Sequence, residues 1–400
     1  DDERFIKTYW TQLDGRLLRI TTEAGELALP LPAADFSYQV EASTTDGRLL
    51  SFLAVPGEVT GRTGIEVLMH TPSDNPAELM YSTFLGGNSY DYGESIALDS
   101  IGRASVTGWT LSNNFPTTPG GFDRTYNGSE DAFVVRLNAA GNALDFATFL
   151  GGSSTDRAFD LALDGAGRAT VTGWTTSSDF PTTSGAFDRT FGGGTCGFQT
   201  CPDAFVVRLN ATGSALVYAT FLGGVNWDTG AAIALDSSDR TTVTGTAYSG
   251  FPTTPGAFDP SPNGLDDVFL ARLNAAGSVL EYATFLGGNY FDRGYDVALD
   301  NSGRASVTGW TISGDFPTTL GAFDRTLNGG DAFVVRLNAT GSALDYATFL
   351  GGNIYDEGAA IALDSSGRAT VTGYTDSSDF PTTPGAFDPS FNGGDAFVVR

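Results

Sequence analysis

The chain is short of the residues that carry most protein chemistry. Among 400 residues there is one lysine (Lys7), one histidine (His70), two cysteines and two methionines. Against 21 basic residues stand 47 acidic ones, a formal charge of -26, so no basic surface is available for a phosphate backbone and nucleic acid is not an expected partner. A histidine-dependent catalytic triad would have to use His70, which sits between Met69 and Thr71 at the end of a β-type segment. No apolar run approaches the roughly 20 residues of a membrane-spanning helix, so no transmembrane segment is expected. The chain begins at Asp1 without a methionine or a signal-like stretch, and a processed, secreted chain fits these features.

What the chain has is a repeat. Thr-Phe-Leu-Gly-Gly begins at Thr83, Thr148, Thr220, Thr284 and Thr348, at spacings of 65, 72, 64 and 64 residues. Each copy is followed by Ala-Leu-Asp (from Ala97, Ala162, Ala234, Ala298 and Ala362), Val-Thr-Gly (from Val106, Val171, Val243, Val307 and Val371) and Phe-Pro-Thr-Thr (from Phe115, Phe180, Phe251, Phe316 and Phe380). A strand typified by Asp131-Ala-Phe-Val-Val-Arg136 then completes the unit. A glycine-punctuated, β-branched period of this size marks one supersecondary unit copied side by side.

Each unit divides into four strands, called a to d. In the first, Ser95 to Asp99 and Ala104 to Thr110 flank a Ser-Ile-Gly-Arg turn, and Ala132 to Leu137 and Ala143 to Leu150 flank Asn138 to Asn142; both pairs read as hairpins. Phe133, Val134 and Val135 are apolar in succession, so the c strand should be buried on both faces. A four-stranded sheet covered on both sides is a propeller blade. Gly108, Gly173, Gly245, Gly309 and Gly373 are expected to allow close approach of a neighbouring sheet. The chain holds five a, b and c strands, with four d strands after them. Pro76 to Leu85 carries the d pattern and should pair with Asp395 to Arg400, closing a five-bladed ring.

These motifs, Tyr81-Ser-Thr-Phe-Leu-Gly-Gly87, Ile96-Ala-Leu-Asp99, Val106-Thr-Gly108, Asn114-Phe-Pro-Thr-Thr118 and Asp131-Ala-Phe-Val-Val135, resemble the SBBP β-propeller repeat of bacterial secreted and cell-surface proteins. The resemblance covers about residues 76 to 400. It implies an extracellular interaction or scaffold role and supplies no catalytic residue; the family's name implies seven blades where this chain supplies five. The expected fold is all-β: a five-bladed propeller over 76–400, with 76–87 as closing strand and repeats starting near 88, 153, 225, 289 and 353. Residues 1–75 lie outside the repeat and read as a small β module, with segments Phe5 to Trp10, Leu17 to Thr22, Phe36 to Ala42, Leu49 to Val55 and Ile65 to His70 between Gly-containing turns. This module is either a domain packing beside the propeller or a device for anchoring and self-assembly.

Cys196 and Cys201 lie in the one long interval, within Thr195-Cys-Gly-Phe-Gln-Thr-Cys-Pro202. Five residues apart in a Gly-rich loop and with no histidine nearby to complete a metal site, they are expected to form a local disulfide.

Two sets of residues are candidates for binding. After each Gly-Gly comes an aspartate, Asp91, Asp156, Asp228, Asp292 and Asp356, which would form an acidic collar on one face. Such aspartates either bond backbone amides in turns or hold Ca²⁺ or another hard cation. Tyr90, Trp227, Phe291 and Tyr355 precede four of them; aromatic faces beside carboxylates could hold sugar rings, or else they cover the sheet ends. Trp109, Trp174, Trp310 and Tyr374 read as packing residues of the b strands, and Asp131, Asp203, Asp267, Asp331 and Asp395 as structural. A carboxylate pair of the glycosidase kind would break the repeat symmetry, which these acids obey. The reading is a secreted, non-enzymatic scaffold for surface adhesion or extracellular assembly that needs no cofactor. A multivalent lectin stands second and a polysaccharide-active enzyme third.

Overall fold

The repeat folds as a series of antiparallel sheets because its β-rich segments are separated by residues that reverse the chain. The computed structural model describes residues 80–400 and, before them, the backbone of six strands. It divides into two units, Asp1–Met80 and Tyr81–Arg400.

In the first unit β1 (Leu13–Asp14), β2 (Leu17–Thr22) and β3 (Gly25–Pro30) form one antiparallel sheet, and β4 (Tyr38–Ser43), β5 (Leu49–Val59) and β6 (Arg62–His70) form another. His70 ends β6, opposite Ser51. The expected segment Phe5 to Trp10 lies outside the described residues.

The second unit begins with a sheet of β7 (Asp91–Leu98), β8 (Ala104–Thr110), β9 (Asp131–Leu137) and β10 (Leu144–Leu150). The second repeat sheet holds β11 (Asp156–Leu163), β12 (Ala169–Thr175), β15 (Asp203–Leu209) and β16 (Leu216–Leu222), with β13 (Thr195–Cys196) and β14 (Gln199–Thr200) as a separate hairpin inserted between its second and third strands. The third holds β17 (Asp228–Leu235), β18 (Thr241–Ala247), β19 (Asp267–Leu273) and β20 (Leu280–Leu286). The fourth holds β21 (Asp292–Leu299), β22 (Ala305–Thr311), β23 (Asp331–Leu337) and β24 (Leu344–Leu350). The fifth has three strands, β25 (Asp356–Leu363), β26 (Ala369–Thr375) and β27 (Asp395–Val399).

The third strands β9, β15, β19 and β23 are buried at every residue, as their unbroken apolar runs require. Alternate residues serve opposite neighbours. Ala132 and Val134 join a core with Leu161, Val171, Phe205 and Val207 of the second sheet, while Phe133 and Val135 pack with Phe115 and Phe149 of their own repeat. In each repeat the Phe of Phe-Pro-Thr-Thr packs on the third-strand Phe, at centroid distances of 4.4, 4.6, 4.3, 4.7 and 4.5 Å.

The strand glycines serve a different neighbour from the one expected. A Cβ at Gly108, Gly173, Gly245, Gly309 or Gly373 would lie 1.8–1.9 Å from the carbonyl oxygen of Tyr92, Arg157, Thr229, Arg293 or Glu357, on the first strand of the same sheet. There the register shifts by a bulge after Gly93, Ala158, Gly230, Gly294 and Gly358, and the bulged strand bends onto its partner.

The turn between first and second strands needs a left-handed residue. Glycine supplies it at Gly102, Gly167, Gly303 and Gly367, and Asp239 takes it in the third sheet at φ 60°, a region aspartate tolerates better than most residues. Its carboxylate accepts a bond from Arg168 Nη2 of the preceding sheet at 2.7 Å.

The pairing expected between 77–85 and the last sheet is not formed among the described residues. β27 hydrogen-bonds β26 alone, and Met80 to Gly87 carry no strand. Tyr81 nonetheless takes a fourth-strand position against the first sheet. Its ring lies on Gly141 as Phe146 lies on Gly213, Tyr218 on Gly277 and Tyr282 on Gly341, and Leu85 packs on the core around Phe133.

Candidate functional site

The collar aspartates open the first strand of each repeat sheet, and their side chains turn into the loop that precedes them. Oδ2 of Asp156 accepts Gly152 N at 2.8 Å and Ser177 Oγ at 2.9 Å, while Oδ1 accepts Thr175 Oγ1. Asp292 repeats this with Gly288 N, Ser313 Oγ and Thr311 Oγ1, and Asp91 with Gly87 N, Ser112 Oγ and Thr110 Oγ1. Asp228 substitutes the Tyr248 amide for the hydroxyls. Asp356 keeps the Gly352 and Ser377 bonds and leaves Oδ1 without a partner. Each carboxylate therefore latches its own Gly-Gly turn to the end of the second strand. Burial pushes Asp156 up to about 6 and Asp228 up to about 8, because desolvation disfavours the charged form. Among the described residues no three Asp, Glu, His or Cys side chains gather into a metal-holding group.

A second aspartate meets each latch from the preceding sheet. The third-strand residues Asp131, Asp203, Asp267 and Asp331 flank the first glycine of the Gly-Gly pair. A Cβ at Gly151 would lie 2.9 Å from Asp156 Oδ2 and 3.1 Å from Asp131 Oδ1, and one at Gly351 2.5 Å from Asp331 Oδ1 and 2.8 Å from Asp356 Oδ2. The four junctions between repeat sheets therefore each carry two facing carboxyl groups with a glycine between them. The pairing is invisible in the sequence, where the two acids lie 25 residues apart in all four copies.

The other end of each junction is held by arginine. Arg136, Arg208 and Arg272 are among the largest fully buried side chains. In each, Nε donates to a hydroxyl of the second strand (Ser105, Thr170, Thr242) and Nη2 to a turn carbonyl of the next sheet, Gly167 at 2.7 Å, Asp239 at 2.9 Å and Gly303 at 2.6 Å. Nη1 reaches the following hairpin at Ala211, Ala275 and Ala339. The guanidinium lies 4.9–5.2 Å from the ring centroid of Phe146, Tyr218 or Tyr282, a favourable cation–π placement.

One acid pair does break the repeat. Asp160 in β11 accepts Ser95 Oγ of the first sheet at 2.6 Å and the amides of Leu161 and of Ile233 in the third sheet, both at 2.8 Å. Asp296 in β21 accepts the amides of Val297 at 2.8 Å and Ile361 at 2.7 Å; burial pushes it up to about 6, with the Asp160 charge adding to the effect. The equivalent positions are Ser95, Ala232 and Ala360, the departure that marks the pair in sequence. Its chemistry is spent on amides that tie first strands of different sheets together.

The aromatic residues divide differently from the sequence reading. Of Tyr90, Trp227, Phe291 and Tyr355, Tyr355 joins an aromatic group, 5.7 Å from Trp310 and 6.3 Å from Tyr374. Tyr90 is exposed, while Trp227 and Phe291 are half-buried. Trp109, Trp174, Trp310 and Tyr374, which read as packing residues, are at least partly open to solvent; the three tryptophans hold arginines, and the Tyr374 hydroxyl donates to Asp376. Tyr92 stacks on Trp109 at 4.0 Å, and Arg157 lies 4.1 Å from Trp109 and 5.4 Å from Trp174. Arg157 is also paired with Glu130, and Arg293, 5.9 Å from Trp310, with Asp266 at 3.2 Å. These residues form aromatic and charged groups at the ends of the second strands, a surface able to stack on flat or ring-shaped partners and to bond their polar edges. Cys196 and Cys201 are joined in a disulfide.

A family model described as SBBP, a beta-propeller repeat, matches residues 81–116. No curated protein matches the chain. Solved structures similar to it include one described as "NanB plus Optactamide", at TM-score 0.36 and 10% identity, covering 85% of this chain and 65% of that one. A second is the quinohemoprotein alcohol dehydrogenase of Comamonas testosteroni, at TM-score 0.35 and 10% identity, covering 90% and 55%. A third is the quinohemoprotein alcohol dehydrogenase ADHIIG of Pseudomonas putida HK5, at TM-score 0.27 and 10% identity, covering 92% and 71%. The chain thus spans about two thirds and about half the length of the first two, and likenesses this distant carry no argument about chemistry. The beta-propeller repeat is thus matched over residues 81–116, and the sheets of the repeat region are antiparallel throughout.

Proposed function

We propose that the protein is an extracellular, non-enzymatic interaction scaffold that works in surface adhesion or assembly. The observation that carries this reading is where the repeated polar residues are spent: aspartates on latches and arginines on joints between sheets. The chemistry left at the surface is the aromatic and arginine groups around Trp109, Arg157, Trp174 and Trp310. Those groups are the contact surface of this reading, and residues 1–75 its self-assembly module. Closure of the ring through Tyr81–Leu85 belongs to the same reading and is supported by the fourth-strand placement of Tyr81 on Gly141. Secretion is supported by the disulfide, which oxidising compartments favour.

The same aromatic groups support glycan binding as the second reading, since flat rings beside carboxylates and guanidinium groups suit sugars. The test is binding of the labelled protein to the surface of the producing cells and to a glycan array. The scaffold reading expects surface binding that falls at least tenfold in a variant with Trp109→Ala, Trp174→Ala and Trp310→Ala, with no defined sugar specificity. Unchanged surface binding by that variant overturns the assigned contact surface, and a single sugar class bound at millimolar affinity or better moves the protein to the lectin reading.

A further inference from the structure

The three inner junctions, between the second and third, third and fourth, and fourth and fifth repeat sheets, share an unsolved charge problem. Asp203, Asp267 and Asp331 are 0, 0 and 1% exposed. In each, Oδ2 accepts a loop amide, from Gly192 at 2.7 Å, Asn263 at 2.7 Å and Asn328 at 3.4 Å, while Oδ1 is buried without any partner. In two of them that oxygen faces the first glycine of Gly-Gly: a Cβ at Gly287 would lie 2.4 Å from Asp267 Oδ1 and one at Gly351 2.5 Å from Asp331 Oδ1, while one at Gly223 would lie 3.0 Å from Asp203 Cγ. Across the glycine stands the latch aspartate of the next sheet, Asp228, Asp292 or Asp356.

The charges acting most strongly on the three are carboxylates. They are Asp188 on Asp203; Asp292, Asp259 and Asp266 on Asp267; and Asp356, Asp324 and Asp379 on Asp331. Asp228 in turn feels Asp203. Two buried carboxylates side by side without a cation are costly, and the usual remedy is that one of them stays protonated. An oxygen without a partner is free to take such a proton, since a carboxylic acid turns one acceptor into a donor.

We propose that each inner junction holds a structural proton, kept within the carboxyl pair that Asp203, Asp267 or Asp331 makes with the facing latch aspartate. The pair is –COOH facing –COO⁻, one negative charge in place of two, and glycine between them keeps a side chain from separating the groups. The first junction is the internal contrast. There both oxygens of Asp131 accept amides, from Asn127 at 2.9 Å and Gly128 at 3.0 Å. Burial pushes all four above the usual aspartate range, Asp131 up to about 6 and Asp203, Asp267 and Asp331 up to about 7. A raised folded value means that the folded chain binds more protons than the unfolded chain, in which aspartate titrates near 3.9. The stabilisation from these protons is fully present below about pH 4 and is lost as pH rises through about 7. The seam between sheets is thus tightened by acid. This inference is independent of the adhesion reading.

The test compares melting temperatures from pH 5 to pH 8.5 for the unaltered protein and for a variant carrying Asp203→Asn, Asp267→Asn and Asp331→Asn. Asparagine is neutral, matches the shape and can donate. The unaltered protein is expected to lose several degrees over that range, and the variant to lose less than about half as much and to melt higher than the parent at pH 8.5. The variant removes the three carboxyl groups and the rise they cause in their neighbours, as Asp203 does in Asp228, so the difference reports the three carboxyl pairs. Should the variant fail to fold, calorimetry of the parent at pH 6.5 in buffers of different ionisation enthalpy decides: the proposal expects protons to be released on unfolding. No release, a variant slope equal to the parent's, or a parent melting temperature raised by millimolar calcium at pH 8 overturns it, the last by placing a cation where the proton was assigned.

Discussion

The junctions between repeat sheets and the two outward faces of the series are made of the same residue types, and they differ in what lies against them. Leu161, Ile233, Val297 and Ile361 occupy one position of the first strands and are 5–7% exposed; Ile96, at the same position in the first sheet, is 65% exposed. On the opposite faces Val134, Val206, Leu270 and Val334 are 0–5% exposed, against 74% for Val398. Arg136, Arg208 and Arg272 are sealed by the next sheet's turns, while Arg400 is half exposed and reaches Asp364 of its own sheet. A strand sequence specifies which side chains it can bury, and the neighbouring repeat decides whether they are buried.

The sharpest way to break the comparison is at the arginines. Arg272→Ala removes four bonds to Thr242, Ala339, Gly303 and the ring of Tyr282 and leaves buried carbonyls unpaired, so it should cost about 3–5 kcal/mol. Arg400→Ala should cost less than about 1 kcal/mol, as exposed pairs do. Urea midpoints of the two variants measure this, and equal shifts would show that the terminal arginine is sealed as the inner ones are. Next come the apolar positions. Leu161→Ala should cost about 2–4 kcal/mol through lost transfer energy and a cavity, and Ile96→Ala less than about 1 kcal/mol. A large loss at Ile96 in the same denaturation experiment would mean that this face is covered in solution.

A modest effect is expected outside both regions, at the inserted hairpin. Closing so short a loop is worth at most about 2 kcal/mol, and β13 and β14 pair only with each other. Reduction of Cys196–Cys201 should therefore lower the melting temperature by a few degrees and leave the pH profile of the inner junctions unchanged. A change in that profile would tie the hairpin to Asp203, whose Gly192 partner lies in the same loop.

Much of the architecture could be read from the repeat. Third strands such as Asp131–Leu137 announced burial on both faces by their lack of alternation, and the Cys196–Cys201 bridge followed from the spacing of the two cysteines in one Gly-rich loop. The glycines of Val-Thr-Gly were legible as positions intolerant of a side chain, but not the reason, because a bulge is a relation between two strands and leaves no local mark. Trp109 reads as a packing residue because a sequence shows its place on a strand and not the Arg157 that arrives from the next repeat, the same arginine that stands opposite Trp174 within its own sheet.

The sequence by itself determined the order of strands, the turns and the all-β class, since these follow from local periodicity and glycine placement repeated five times. Tertiary structure alone decided which charges meet. Asp203 and Asp228, or Arg272 and the Gly303 carbonyl, are brought together by one sheet stacking on the next, and their protonation and bonding depend on the water removed at that contact. Among the described residues Tyr81 to Leu85 have no strand partner at β27, although their pattern matches the fourth strands, because a pattern states what a segment can pair with and does not by itself form the pair.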